Sequence, residues 1–233
     1  MFPEGTRRDP SSPPRFRGND QTWNDGSKRN NIGAVARKID DVEFVRRMID
    51  DLCVRFKVNN RRIYVTGFSN GASMAFRLAR ELPQTIAAVA PVAGMDWSKE
   101  PTIGRPVSIL YITCTADPLN PIDGGEIRIG WMSFGRKPPT KDMIRMWARM
   151  LGCPAKPKVA CDKDKVKALV FGPGKDGSEV ALYTVEELGH FWPGGKNNYL
   201  PRFIAGKRKT SDKLKATKVI WEFFQKHPLR SDV

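Results

Sequence analysis

Apolar residues recur along this chain in two rhythms, and the switches between them mark the elements. In "DDVEFVRRMIDDLCVRF" they fall at Val42, Val45, Met48, Ile49, Leu52 and Phe56. That spacing makes one stripe along a helix, and Asp40 or Asp41 suits its N-terminus. "RRIYVTG" follows, a short β-branched and aromatic run ending in glycine, which predicts a strand. A turn at Ser69 leads into a helix running to about Leu82 and stopped near Pro83. "TIAAVAPVAG" and "RPVSILYITCTAD" are continuous apolar runs, as in strands buried on both faces of a parallel sheet. "TKDMIRMWARMLG" reads as a helix stopped by Gly152. "SEVALYTVEELGH" reads as a fourth strand ending near His190, and "SDKLKATKVIWEFFQKH" as a closing helix with Ser211 as its N-cap. Residues 1–31, rich in Pro, Gly, Arg and Asn, follow neither rhythm and are expected to be irregular.

Strands alternating with helices predict an α/β fold of right-handed β-α units, with a mostly parallel sheet and helices on both faces. One domain is expected over residues 32–228, after the irregular segment 1–31. The "PVAG" to "RPVSIL" connection carries no clear helix.

Composition narrows the class. Hydrophobic residues at 40% and aromatics at 9% are globular rather than disordered values. No apolar run approaches the roughly 18 residues of a membrane helix, so no membrane partner is expected. The start, "MFPEGTRRDPSSPPRFRGND", has no apolar stretch of the signal-peptide kind. The chain as it stands therefore predicts a cytoplasmic location. The net charge of +15 favours anionic surfaces, and much of it sits in "GKRKTSDKLKATK" and "TRRDPSSPPRFRGND". Such runs are more often solvated faces than contacts to a polyanion. No zinc finger or RNA-stacking motif accompanies them, so no specific nucleic-acid partner is expected. The four cysteines, Cys53, Cys114, Cys153 and Cys161, form no CxxC, and only two histidines exist. That argues against a zinc site, and no metal or other cofactor is expected. Cys53 falls in an amphipathic helix and is expected to be buried. Cys153 and Cys161 bracket a Pro-rich loop, and geometry decides whether they pair.

The chemistry gathers at the strand ends. Gly67-Phe68-Ser69-Asn70-Gly71 fits G-x-S-x-G between a strand and a helix, the context a nucleophile elbow requires. The turn strains the serine backbone and brings strand and helix together, so side chains at the glycines would clash. Its product is a Ser69 hydroxyl at a helix N-terminus, where the backbone N–H of Asn70 can serve as an oxyanion donor. A serine hydroxyl needs a base. His190, in the glycine-flanked "EELGHFWPGG", is the candidate, whereas His227 in "FFQKHPLR" suits the C-terminus of the last helix. An acid should orient the imidazole. Asp117 in "TCTADPLNP" follows a strand directly, and Asp123 in "IDGGE" is its rival. The order Ser69, Asp117, His190 is the α/β-hydrolase order.

With these residues in hand, the chain resembles the polyhydroxybutyrate depolymerase and feruloyl esterase group of α/β hydrolases. The similar stretches are "WNDG", "IDDVEFVRRMIDDL", "RRIYVTGFSNGASMAFRLA", "AAVAPVAG", "TADPLNPIDGG", "LYTVEELGHFWPGG" and "KVIWEFF", from about Trp23 to Phe224. The resemblance implies an α/β-hydrolase fold and hydrolysis of carboxylic esters. A polyhydroxyalkanoate, a feruloyl ester or an acetyl ester would be the substrate. It implies a triad of Ser69, Asp117 and His190, and a secreted or periplasmic protein. Thr113 and Cys114 stand where the family has His and Gly.

The family carries further strands ahead of this point, one ending in a His-Gly loop that supplies a second oxyanion N–H. "MFPEGTR" resembles the end of the last of them, and no other "HG" loop occurs in the chain. The first strands are thus expected to be missing. "RIYVT" then becomes an exposed edge open to self-association, and the lost donor costs on the order of 10²–10³ in rate. The alternative reading is a truncated hydrolase remnant of weak or no activity, acting as a basic binding module.

Overall fold

The computed structural model describes residues 1–11, 20–98, 102–129, 132–195, 206 and 213–230. A short helix α1 (Gly33–Ala36) precedes α2 (Asp41–Arg55). The Asp40 carboxylate accepts the Glu43 N–H as an N-cap, a contact worth about 1 kcal/mol. Then follow β1 (Tyr64–Phe68), α3 (Asn70–Glu81), β2 (Ala88–Val92) and β3 (Ser108–Cys114). A small antiparallel hairpin of β4 (Gly125–Ile129) and β5 (Met132–Lys137) leads to α4 (Thr140–Met150). The chain continues through β6 (Lys158–Lys163), β7 (Val166–Phe171) and β8 (Val180–Val185) to α5 (Ala216–Lys226).

The main sheet has the order β1-β2-β3-β8-β7-β6. The first four of these pair in parallel and the last two antiparallel. Every residue of β2 and β3 is buried, as their unbroken apolar runs require. The alternation of side chains sends Val89, Ile109 and Tyr111 to one face, against α2, α3 and α4 around Phe76 and Trp147. Ala90, Leu110 and Ile112 face the other way, against Ile220, Phe223 and Phe224 of α5. The expected α/β fold with helices on both faces is present.

Three expectations need correction. The strand in "SEVALYTVEELGH" runs over Val180–Val185 and does not extend to near His190. There the chain leaves the sheet, with Thr115 N–H bonded to the Val185 carbonyl and Ala116 N–H to the Leu188 carbonyl. The region from Cys153 to Cys161 is not a plain loop, because it enters β6, an exposed edge strand. Its cysteines are both free thiols. Cys53 is half-buried rather than buried, and its thiol contacts Asn60 Oδ1 at 3.2 Å. Gly152 does stop α4, at a φ of 68°. Residues 207–212 of the basic run, Ser211 among them, lie outside the described residues, and α5 begins at Ala216 with no side-chain cap.

At the opposite end of the sheet β1 is the edge among the described residues. Tyr64, Val65 and Phe68 are only half-buried and Thr66 is exposed. Among the described residues no helix is long and apolar enough to cross a membrane.

Candidate active site

β1 delivers the chain to Ser69 at φ 55° and ψ −117°, a backbone region sparsely used by residues with side chains. The strain is held from both sides. Ser69 N–H bonds the Val92 carbonyl of β2 at 2.9 Å. The Ser69 carbonyl accepts the N–H groups of Ala72 and Ser73 at 3.0 and 3.1 Å, starting α3. A Cβ on Gly67 would overlap the Gly71 carbonyl, so that glycine is required by space. Gly71 is not, since a Cβ there would meet only the Trp23 ring at 3.9 Å. The second close approach belongs to Gly94 after β2, whose Cβ would overlap the Ser69 carbonyl.

Asp117 leaves the end of β3 in a turn that its own side chain closes. Its Oδ1 accepts the backbone N–H of Leu119 and of Asn120, both at 2.9 Å. Its Oδ2 accepts from His190 Nδ1 at 2.8 Å, with both side chains buried. A carboxylate can only accept, so Nδ1 carries the hydrogen and Nε2 of the neutral ring is left as the base. The His190 ring packs on Phe68, centroid to centroid 4.7 Å. Asp123 is exposed in the following loop. His227 bonds the Phe223 carbonyl at the end of α5 at 2.8 Å and Glu179 at 3.1 Å, as its position in the last turn predicts.

Thr113 and Cys114 both find partners beside this loop. Thr113 Oγ1 accepts from Asn120 Nδ2 at 3.1 Å, and the buried Cys114 thiol faces the Phe191 carbonyl at 3.8 Å. Burial and the nearby Asp117 charge push that thiol well above its ordinary range, so it is no rival nucleophile.

Ser69, Asn70 and His190 line one cavity of about 1060 Å³ with Phe68, Leu119 and Trp192. It continues along the open edge of β1 to Val45, Met48 and Leu52 of α2. Among the described residues Ser69 and His190 share this cavity without a hydrogen bond between them, and such bonds commonly tighten only around a substrate.

The part that sequence reasoning missed is the side chain of Asn70. Its Oδ1 accepts from Trp23 N–H at 2.7 Å, and its Nδ2 donates to the Trp23 carbonyl and to Asp25 Oδ2. The "WNDG" stretch was the available signal, since a tryptophan and an aspartate in an otherwise irregular segment need partners.

No family model matches the chain. In sequence it is 32% identical over 178 residues to the provisionally named esterase NocK of Nocardia uniformis subsp. tsuyamanensis, which covers 70% of this chain and 52% of that protein. It is also 32% identical over 176 residues to feruloyl esterase B of Piromyces equi, covering 71% of this chain and 32% of that protein. The chain is an esterase homologue. It spans about half or less of the length of these relatives. Among solved structures, the acetyl xylan esterase of Aspergillus awamori is similar at 13% identity and a TM-score of 0.49, over 73% of this chain and 68% of that one.

Proposed function

We propose that this esterase homologue is a serine carboxylic-ester hydrolase, with Ser69 as nucleophile, His190 as base and Asp117 as the acid that orients it. The observation that carries the reading is the Asp117–His190 hydrogen bond, whose histidine lines the same cavity as the strained Ser69.

Ser69 Oγ attacks the ester carbonyl while His190 Nε2 takes its proton. The developing oxyanion sits at the N-terminus of α3, where the Asn70 N–H and the helix dipole favour negative charge. His190 then protonates the departing alcohol, leaving an acyl group on Ser69. Water, deprotonated by the same imidazole, releases the acid and restores the serine. Asp117 fixes the tautomer throughout and stabilises the imidazolium.

Phe68, Leu119 and Trp192 give the cavity apolar walls beside Ser69, which favours an apolar or aromatic acyl group. Polyhydroxyalkanoate, feruloyl and acetyl esters are the candidate substrates. Secretion belongs to the same reading and is checked by fractionating the native host. The test of the function is turnover of p-nitrophenyl butyrate, with trapping by an organophosphonate. Ser69 should carry the phosphonate adduct, and Ser69→Ala should abolish both turnover and adduct with an unchanged circular dichroism spectrum. Wild-type turnover in Ser69→Ala would overturn the assignment.

A further inference from the structure

Behind the acid loop lies a buried polar cluster that none of the chemical steps above employs. Lys137, the last residue of β5, is buried. Its Nζ donates to Asn120 Oδ1 at 2.7 Å and to Thr140 Oγ1 at 3.2 Å. Asn120 is buried too, and its Nδ2 donates to Tyr111 Oη at 2.8 Å and to Thr113 Oγ1. Tyr111 spends its own proton on the Gly94 carbonyl at 2.5 Å. The Asn120 backbone N–H holds Asp117 Oδ1.

Charge fixes the sense of this cluster. An ammonium has three donors and no acceptor, so it selects the oxygen of the Asn120 amide. The amide nitrogen is thereby turned to the two hydroxyls. A flipped amide would set donor against donor beside a buried charge. Gly94, at the far end, is the residue whose backbone crowds the Ser69 carbonyl. The cluster therefore ties the acid loop to the back of the elbow.

We propose that Lys137 is a positioning residue of the hydrolytic site: its buried ammonium locks Asn120, and Asn120 holds Asp117 against His190. This rests on the esterase reading for its consequence in catalysis, but not for its effect on the imidazole. Burial of an ammonium is costly, and a purely structural contact at this position would be met as well by an apolar side chain. The cost is understandable if the charge acts on its neighbours. Among the described residues the charged group that acts on Lys137 is the Asp117 carboxylate, while the Tyr111 hydroxyl reaches it only through Asn120. Burial lowers the Lys137 ammonium to about 8, while the Asp117 carboxylate works in the other direction. The attraction is mutual, so the charge on Lys137 acts on the Asp117–His190 pair.

The sign follows. A positive charge nearby opposes formation of imidazolium, so its removal makes His190 easier to protonate. The test is an NMR titration of the histidine ring signals, of which the chain has only two sets, in wild type, Lys137→Met and Lys137→Gln, with p-nitrophenyl butyrate kinetics alongside. In wild type the His190 signal should show a second, smaller step near pH 8, where Lys137 loses its proton. Both variants should lose that step, and their main midpoint should move up by about half a pH unit or more. Lys137→Met should lose about tenfold in kcat with little change in KM. Lys137→Gln, which keeps a donor for Asn120, should recover part of the kcat but not the pH shift. Unchanged His190 titration in both variants, or failure of both to fold, would overturn the proposal. A shifted titration in a protein with no esterase turnover would sink the esterase reading and leave the positioning role standing.

Discussion

Asn70 and Trp23 exchange a reciprocal pair of hydrogen bonds, 2.7 Å from Trp23 N–H to Asn70 Oδ1 and 3.0 Å from Asn70 Nδ2 to the Trp23 carbonyl. The side-chain amide thus imitates a strand partner and stitches an irregular segment to the first turn of α3. The same Nδ2 also serves Asp25 Oδ2 at 2.9 Å, and that buried carboxylate is otherwise met by Arg29 and the Ser27 N–H. Asn70→Ala would leave the Trp23 N–H and carbonyl without this partner in a partly buried place. The expected loss is about 2–4 kcal/mol of stability, read by urea unfolding, with a lower kcat because the residue proposed to offer the oxyanion N–H loses its anchor. Unfolding at the wild-type midpoint would mean that water replaces the amide without cost.

The Asn70 anchor shows where the sequence stops being legible. Its partner Trp23 lies 47 residues away, and no local rule links an asparagine in an elbow to an irregular segment. β2 and β3 were legible because they are buried on both faces, and burial writes itself as an unbroken apolar run. β6 was not, because an edge strand with Lys158, Asp162 and Lys163 carries charge where alternation should be apolar. β4 and β5 form a ribbon of their own, outside the main sheet, so the core of that sheet does not impose its pattern on them. The elbow, the acid turn and the histidine loop were readable because each needs particular residue types at fixed offsets. The network behind Asp117 was hidden, since Lys137 looks like any surface lysine until its burial is known.

The strain at Ser69 predicts a trade between stability and function. With φ at 55° and ψ at −117°, glycine would occupy the position more easily than any residue with a Cβ. Ser69→Gly should therefore unfold at a higher temperature than Ser69→Ala, by about 1–2 kcal/mol in stability. Both should lack esterase turnover. Equal melting temperatures for the two variants would show that the turn is not strained in solution.

The orientation of His190 by Asp117 predicts a large effect from a small change. Asp117→Asn keeps the shape but offers an NH₂ to Nδ1, which favours the tautomer with its hydrogen on Nε2. That ring cannot accept the Ser69 proton. The expected fall in kcat is about 10⁴-fold at neutral pH, while Asp123→Asn, in the exposed loop, should leave kcat within about twofold. Comparable losses in both variants would put the assignment of the acid in doubt.

Lys137 should leave a mark on stability against pH. Its ordinary value of 10.5 falls to about 8 in the fold, mainly because burial penalises the ammonium. Between those two values the unfolded chain holds more protons than the folded one, so stability rises with pH across that window. Below it the penalty is fully present, at about 3 kcal/mol. Lys137→Met lacks this contribution. Wild type should therefore gain on Lys137→Met between pH 8 and 10.5, measured as the difference in urea unfolding free energy. Parallel curves for the two proteins would mean that the ammonium is solvated.

The last prediction concerns the edge of the sheet. β1 is flanked on one side only among the described residues, with Tyr64, Val65 and Phe68 half-buried. The apolar cavity runs along the open side, and Phe44, Val54 and Phe56 of the α2 region are exposed. An apolar edge with unpaired backbone groups favours pairing with another chain. Against this stands a net charge of +15, which makes like molecules repel. The repulsion is long-ranged and screened by salt, its reach falling from about 30 Å at 0.01 M to about 3 Å at 1 M. The apolar attraction is not screened. A protein of this sequence should therefore bind a hydrophobic dye at any ionic strength and grow in apparent size as salt is raised. Light scattering across a salt series checks it, with dye fluorescence read on the same samples. Dye uptake that disappears in Val65→Lys would locate the surface at β1. A monomer that takes up no dye at either salt extreme would mean that the edge is covered in solution.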